Sequence, residues 1–395
     1  MIQKLLSEFQ NFFGHEGQFG VYFAPGRVNL IGEHTDYNGG HAFPCSLDFG
    51  TYGVVRRRRD KKCRLFSLNI KNSPLKEFRV DQLEKQEGEG WSAYEKGVAK
   101  IFSDRGYRLD KGFDMLMYGT IPNGAGLSSS ASVELLTAVI LNDLGGFELP
   151  MIEMVKMAQM AENTYVGMQC GILDQFAIGM GKAKSAILLD CNTLDYTYAP
   201  LDLKDVDIII GNTNKKRGLV DSKYNERRKS CEEAVKLLNK KGVKISYLGE
   251  LSAEQFEDVK GYIKDPEKLK RARHAVYENL RTVTAVDLLQ KGDLGGFGKL
   301  MNESHVSLRD DYEVSCPELD VMTEAAWNCP GTIGARMTGG GFGGCTVNLV
   351  KHAAAQEFIR TVGETYREKT PLRPEFYVAS IGDGAKKIGD YHEDL

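Results

Sequence analysis

The sequence predicts an α+β fold of sheets layered with helices, and three observations carry that prediction. Strand-like and helix-like runs are grouped rather than strictly alternating, which disfavours a doubly wound parallel sheet. The organisation restarts near residues 195–205, so the 395 residues divide into two domains, 1–198 and 199–395. No repeat at solenoid spacing and no low-complexity stretch interrupts them.

The elements follow in order. Apolar residues at helical spacing over 4–13 predict an opening helix. "FGVYFAPGRVNLIGEHTDYNGG" (19–40) reads as a strand, a turn at Pro25 and Gly26, and a mixed segment closed by Gly39 and Gly40. Residues 49–58, 63–70 and 76–80 predict an antiparallel meander, 91–106 a helix ended by Gly106, and 113–119 a strand. A helix over 131–146 stops at paired glycines, and a second, opening on Pro150, carries its apolar residues on one face. Met151, Met154, Met157 and Met160 on that face read as core packing. A short helix over 171–181 and a buried strand over 185–191 follow. Beyond the restart come a strand at 206–214, a helix at 222–242, largely helical residues 250–292, and strands at 346–350 and 375–380.

Composition excludes several classes. Hydrophobic residues at 42% and charged residues at 27% are ordinary for a globular chain with real cores. A net charge of −3, from 51 basic and 54 acidic residues, points to neither nucleic acid nor an anionic membrane as partner. The basic run Arg56 to Arg59, with Lys61 and Lys62, reads as a solvated hairpin between two strands. The cysteines make no C-x-x-C pair and no zinc spacing, so free thiols in a reducing compartment are expected. No export signal and no run of about 20 apolar residues is present, and a cytoplasmic protein is expected.

Three segments carry chemistry. "PNGAGLSSSAS" (122–132) places glycines and serines before a helix, where unpaired N–H groups and the helix dipole bind phosphate without a side-chain cation. The same residues could be an N-capping serine run after a surface turn. "MTGGGFGGCTV" (337–347) allows close approach of backbone to a ligand or another loop, or tight strand–helix packing. In "APGRVNLIGEHTDYNGG" (24–40), Arg27, Glu33, His34 and Asp36 crowd among apolar residues; they either converge on a ligand or form an internal ion-pair cluster.

Taken together and in this order, the three segments resemble the signature motifs of the GHMP small-molecule kinases, and "GEHTDYN" resembles the sugar-binding segment of the galactokinase branch. The resemblance spans Arg27 to Cys345. It implies a two-domain GHMP kinase fold, each domain a mixed or antiparallel sheet layered with helices, with the active site in the cleft between them. It further implies phosphorylation of α-D-galactose at its anomeric hydroxyl by ATP.

The resemblance assigns roles residue by residue. Asp174 is the proton acceptor, held ionised by helix N–H groups and Arg27, and Arg27 stabilises charge on the transferring phosphoryl group. Gly124, Ala125, Gly126, Leu127, Ser128, Ser129 and Ser130 hold the nucleotide phosphates, and Ser67 is a contact on the adenine side. Ser130 and Glu162 hold Mg²⁺, which keeps several waters beside the phosphates. Glu33, His34, Thr35, Asp36, Gly171, Asp174 and Tyr224 recognise the sugar. A monomer is expected. Two other readings share these motifs: a kinase for N-acetylgalactosamine or another hexose, and a galactose- and ATP-binding sensor without turnover.

Overall fold

The computed structural model describes residues 1–70, 74–122, 126–201, 203, 205–215 and 220–392. The first part of the chain runs α1 (Ile2–Phe13), β1 (Phe19–Asn29), β2 (His41–Ala42), β3 (Pro44–Arg57), β4 (Lys62–Ser67), β5 (Lys76–Arg79), α2 (Ala93–Asp104) and β6 (Phe113–Gly119). It continues with α3 (Ser129–Gly145), α4 (Met151–Met160), α5 (Leu173–Met180), β7 (Ser185–Asp190) and β8 (Tyr196–Pro200). Then come β9 (Val206–Asn212), α6 (Val220–Asn239), α7 (Ala253–Val259), α8 (Pro266–Gln290), α9 (Leu294–Asp310) and α10 (Pro317–Trp327). The chain closes with β10 (Thr332–Thr338), β11 (Cys345–Lys351), α11 (Ala355–Lys369), β12 (Glu375–Ala379) and β13 (Lys386–Tyr391).

Three sheets organise these elements: a six-stranded sheet in the order β13-β1-β3-β6-β4-β5, a four-stranded sheet β10-β11-β9-β12, and a small sheet β2-β7-β8. β1 is buried along its whole length because both faces of the large sheet are covered. Phe19 and Val21 meet Leu5, Leu6 and Phe9 of α1 on one side. Tyr22 and Ala24 meet the helices α2 to α5 on the other, where Leu135, Leu136, Ile140, Val155 and Phe176 fill the space. Fully burying one such side chain stabilises by about 1.5–3 kcal/mol. Met154 and Met157 are buried in this core and Met151 and Met160 pack at its border, as their spacing predicts.

Four features differ from the sequence reading. Pro25 and Gly26 form no turn. β1 passes straight through them with a bulge, where the register against β3 shifts between Pro25 and Arg27. Proline has no N–H for the ladder, and the Arg27 N–H leaves it to bond the Leu127 carbonyl at 3.3 Å. The stretch 49–80 is not a meander either, since β6 lies between β3 and β4 and runs parallel to β4. The arginine run is therefore not a hairpin. Arg56, Arg58 and Arg64 converge on Asp114 of β6, whose side chain is 1% exposed, with N···O distances of 2.9, 3.0 and 2.6 Å. A buried carboxylate in the sheet requires countercharge, and the flanking strands supply it. Lastly, the expected helix over 150–167 is α-helical only to Met160 and continues as a π-helical turn over Ala161–Val166.

Several strands and helices that local pattern left unassigned are present, among them β8, β10, β13 and α9 to α11. β13 returns to the edge of the large sheet and pairs antiparallel with β1, Phe19 facing Tyr391. No helix among the described residues is long and apolar enough to cross a membrane.

The convergence on Asp114 sets a stability prediction. Asp114→Ala leaves Arg56, Arg58 and Arg64 without their shared carboxylate and is expected to cost about 3–5 kcal/mol. Urea denaturation should show a lower midpoint at an unchanged slope.

Candidate active site

A cavity of 220 Å³ opens between the ends of β1 and β6, the start of α3, the start of α5, α6 and the loop after β10. Arg27, Glu33, His34, Asp36, Gly126, Leu127, Ser128, Ser129, Ser130, Glu162, Gly171, Asp174 and Tyr224 all line it. Gly124 and Ala125 lie outside the described residues.

Arg27 is the cation of this cavity. The bulge at Pro25 and Gly26 brings its backbone against the glycine-serine loop, where a Cβ on Gly26 would sit 3.1 Å from the Leu127 carbonyl. Its Nε donates to Asp174 Oδ1 at 2.7 Å and its Nη1 to the Gly126 carbonyl at 2.9 Å. Burial alone would lower the Arg27 pKa, but Asp174 and then Glu33 more than offset this, and it is raised. Asp174 lies in the first turn of α5 with its side chain 34% exposed, so one end of the ion pair faces the cavity.

The loop itself favours a ligand over simple helix capping. Gly126 and Ser128 both have left-handed backbones, at φ 72° and 60°. Ser128 occupies the N-cap of α3, yet its hydroxyl makes no capping bond and donates instead to Asp174 Oδ2. The first intrahelical bond runs from the Ser132 N–H to the Ser128 carbonyl, 3.0 Å. The N–H groups of Ser129, Ser130 and Ala131 therefore precede the helix ladder, at the positive end of its dipole. A left-handed residue other than glycine at such a position is stored strain of the kind found at functional sites.

Behind the loop lies a carboxylate cluster. Glu162, in the π-helical turn, is 3% exposed and Glu134 of α3 is fully buried. Gln175 Nε2 bridges them, at 2.6 Å from Glu162 Oε2 and 3.0 Å from Glu134 Oε2. The Ser130 hydroxyl and the Cys170 thiol also donate to Glu162. Burial and then the charge of Asp174 raise the Glu162 pKa, and burial and then Glu162 raise that of Glu134. No basic side chain pairs with either carboxylate among the described residues. A carboxylate and a hydroxyl at the cavity wall form a hard oxygen donor pair without countercharge, which fits a divalent cation such as Mg²⁺. The described residues hold no cluster of three His, Cys, Asp or Glu side chains able to ligate a metal. A cation here would draw its other ligands from water and phosphate.

The segment 29–40 is held from the second half of the chain. Glu33 Oε1 accepts from the Gly339 N–H at 2.6 Å and the Thr338 hydroxyl at 3.1 Å, with Arg336 Nη1 at 3.5 Å. Buried Glu278 of α8 accepts from the Gly32 N–H at 3.0 Å and ion-pairs with Arg281. His274 Nε2 meets the Glu33 carbonyl at 3.1 Å. Thr35 does not line the cavity; its hydroxyl bonds the carbonyls of Gly32 and His41 at 2.9 and 2.8 Å and braces the turn.

His34, with φ at 61°, packs among Tyr37, Tyr224 and Tyr312. Its Nδ1 meets the Tyr37 hydroxyl at 2.7 Å, while Nε2, towards Gly340, makes no bond of normal geometry. Burial, then His274, lowers its pKa to about 3, so the imidazole is neutral and can exchange a hydrogen bond with a hydroxyl. Gly171 is dictated by Asp36, since a Cβ there would lie 1.9 Å from Asp36 Oδ2.

Ser67 lies apart, in an adjoining cavity of 240 Å³ that shares Ile121, Ser129 and Ser130 with the first. Trp91, Tyr94 and Glu95 are also among its lining residues. Sequence reasoning assigned no role to Glu95, Glu134, Gln175, His274, Glu278 or Arg336. The available hint for Glu134 was a lone carboxylate in the apolar run of α3.

Comparison with known proteins matches three family models: the galactokinase galactose-binding signature over residues 7–57, the GHMP kinases N terminal domain over 93–182, and the GHMP kinases C terminal over 285–368. The chain is 58% identical to a galactokinase of Fusobacterium nucleatum over 98% of its own length and all of that protein's. It is 50% identical to that of Bacillus subtilis over 98% and 99% of the two chains. It is also similar to the crystal structure of Lactococcus lactis galactokinase complexed with galactose, at TM-score 0.96 and 49% identity, covering 98% and 100% of the two chains. The mevalonate kinase of Methanococcus jannaschii shares the fold at TM-score 0.65 and 18% identity, covering 92% and 98%.

Asp36 yields a pH prediction. Burial and then the charge of Asp174 raise its pKa from 3.8 to about 7. A carboxyl raised on folding contributes stability below its unfolded value that is lost as pH rises through the folded one. Asp36→Asn should therefore stabilise by about 1–3 kcal/mol at pH 8 and by almost nothing near pH 3.5, measured by urea denaturation at the two pH values.

Proposed function

The chain belongs to the galactokinase family of GHMP kinases, and on that premise we propose that it transfers the γ-phosphoryl group of ATP to the anomeric C1 hydroxyl of α-D-galactose, giving galactose 1-phosphate and ADP. The observation that carries this reading is the buried Arg27 in contact with Asp174, 2.7 Å apart, where the glycine-serine loop meets the segment 29–40.

In this reading the first N–H groups of α3 and the loop before it receive the nucleotide phosphates. Glu33, His34, Asp36 and Tyr224 surround the hexose, offering two carboxyl groups, a neutral imidazole and a phenol to hydroxyls that both donate and accept. Gly171 leaves room for Asp36 and the sugar together. Asp174 takes the proton of the C1 hydroxyl as that oxygen bonds to the γ-phosphorus and the bond to the β-phosphate oxygen breaks, releasing ADP. Arg27, already fixed by Asp174 and Gly126, stabilises the charge on the transferring group without reorganising. Ser130 and Glu162 would hold Mg²⁺, which when bound screens the phosphate charge and aligns the terminal phosphate. The absence of any cation beside Glu162 and Glu134 among the described side chains supports this assignment. The enzyme works as a monomer in the cytoplasm.

A coupled assay should show ADP release that requires galactose, ATP and Mg²⁺ together, and binding of both substrates without release would instead favour the sensor reading. Asp174→Ala is expected to lower kcat by about 10²–10⁴. Arg27→Lys loses the paired contacts to Asp174 and Gly126 and is expected to lower kcat by about 10²–10³, with a smaller change in KM for galactose. Near-normal turnover in either variant removes the role assigned to that residue.

A further inference from the structure

The cavity beside the phosphate loop contains an unexplained carboxyl group. Glu95 projects from α2 and is wholly buried, yet it lines this cavity next to Trp91 and Tyr94. Apart from its own peptide N–H, neither carboxyl oxygen has a hydrogen-bond partner among the described residues. Leaving a carboxyl group unpaired at such a depth is costly, so a group that is bonded only when the cavity is filled is a better account than simple packing. Two other polar side chains nearby are less available. Asn69 spends its amide on the Gly119 peptide, donating and accepting at 2.7 Å each. Thr51 Oγ1 accepts from Ser132 at 2.9 Å. Glu95 is the only carboxyl among the described residues lining this cavity.

We propose that Glu95 reads the base of the bound nucleotide, its carboxyl group accepting a hydrogen bond from the exocyclic 6-amine of adenine and donating one to the adjacent ring nitrogen. This rests on the reading that ATP lies across the two cavities, phosphates at Ser129 and Ser130 and base towards Trp91 and Tyr94. The two aromatic side chains provide a wall suited to a flat heterocycle. Burial pushes the Glu95 carboxyl up to about 8, so it is mostly protonated at neutral pH and offers one donor and one acceptor side by side. An adenine edge presents the complementary pair.

Calorimetric titration of the full chain with ATP and with purine riboside 5′-triphosphate, which lacks only the 6-amine, tests this. The wild-type protein should bind ATP about tenfold more tightly. Glu95→Leu, which loses both bonds to ATP but only the ring-nitrogen bond to the purine analogue, should weaken ATP about tenfold more than the analogue, removing the preference. Glu95→Gln, whose amide keeps one donor and one acceptor, should retain it. Equal affinities in the wild-type protein, or a preference surviving in Glu95→Leu, would overturn the proposal. The wild-type comparison stands even if a variant fails to fold. The readout is binding alone, so selective ATP binding without galactose turnover would support Glu95 as the base reader and refute the kinase reading separately.

Discussion

Arg27 is enclosed by protein, yet its guanidinium faces a cleft that otherwise gathers carboxylates, and much of the local architecture follows from holding it there. The bulge in β1 moves its backbone off the ladder and onto the glycine-serine loop. Asp174 then anchors one nitrogen and the Gly126 carbonyl another, while Ser128 gives up its capping bond to reach the same aspartate. These choices are locally unfavourable: a proline within a strand, a left-handed serine and a buried arginine. They reinforce one another because each fixes the position of the next. Glu33, Asp36, Glu134, Glu162 and Asp174 all lie near the cavity, and burial together with neighbouring carboxylates raises the pKa of Asp36, Glu134 and Glu162. In the proposed reading, a cation arriving with the nucleotide would offset the charge of the carboxylates and of the phosphates together, so that the loop needs no lysine.

The three glycine-bearing segments are physically one assembly. The segment 29–40 supplies Glu33, the loop after β10 supplies the Gly339 N–H that Glu33 accepts, and α8 supplies Glu278 for the Gly32 N–H. The glycines after Thr338 therefore bring backbone to another loop as well as to the cavity. Burying Glu278 is tolerable because Arg281 pairs with it, and that pair, with Ser304, satisfies a side chain with no access to water. The face that would meet the sugar is thus positioned by the second half of the chain.

Much of the candidate site was legible in the sequence because its chemistry is local. Glycines before serines and four polar groups within ten residues are each local in the chain, whereas Asp174, Glu162 and Tyr224 were assigned only through the family resemblance. The two-layer character of the fold was legible from periodicity for the same reason. Strand pairing was not. Nothing in the run 49–80 says that β6 will insert between β3 and β4, because β6 and its Asp114, the partner of Arg56 and Arg58, lie far along the chain. The π-helical turn that presents Glu162 keeps the composition of a helix, so period alone could not separate it from α4. Glu95, Glu134 and Glu278 escaped notice since an isolated acidic residue on a helix ordinarily faces water, and only packing reveals that these do not.

The pairing of β13 with β1 bears on how the largest sheet closes. β1 and β13 are separated by nearly the whole described chain, so the partner that closes one edge of the largest sheet comes from far along the sequence. An exposed strand edge invites pairing with other nascent chains. α1 shields the flat face of β1, but the hydrogen-bonding groups along its rim have β13 as their native partner. Sealing that edge is therefore a long-range contact and among the slower kinds to form.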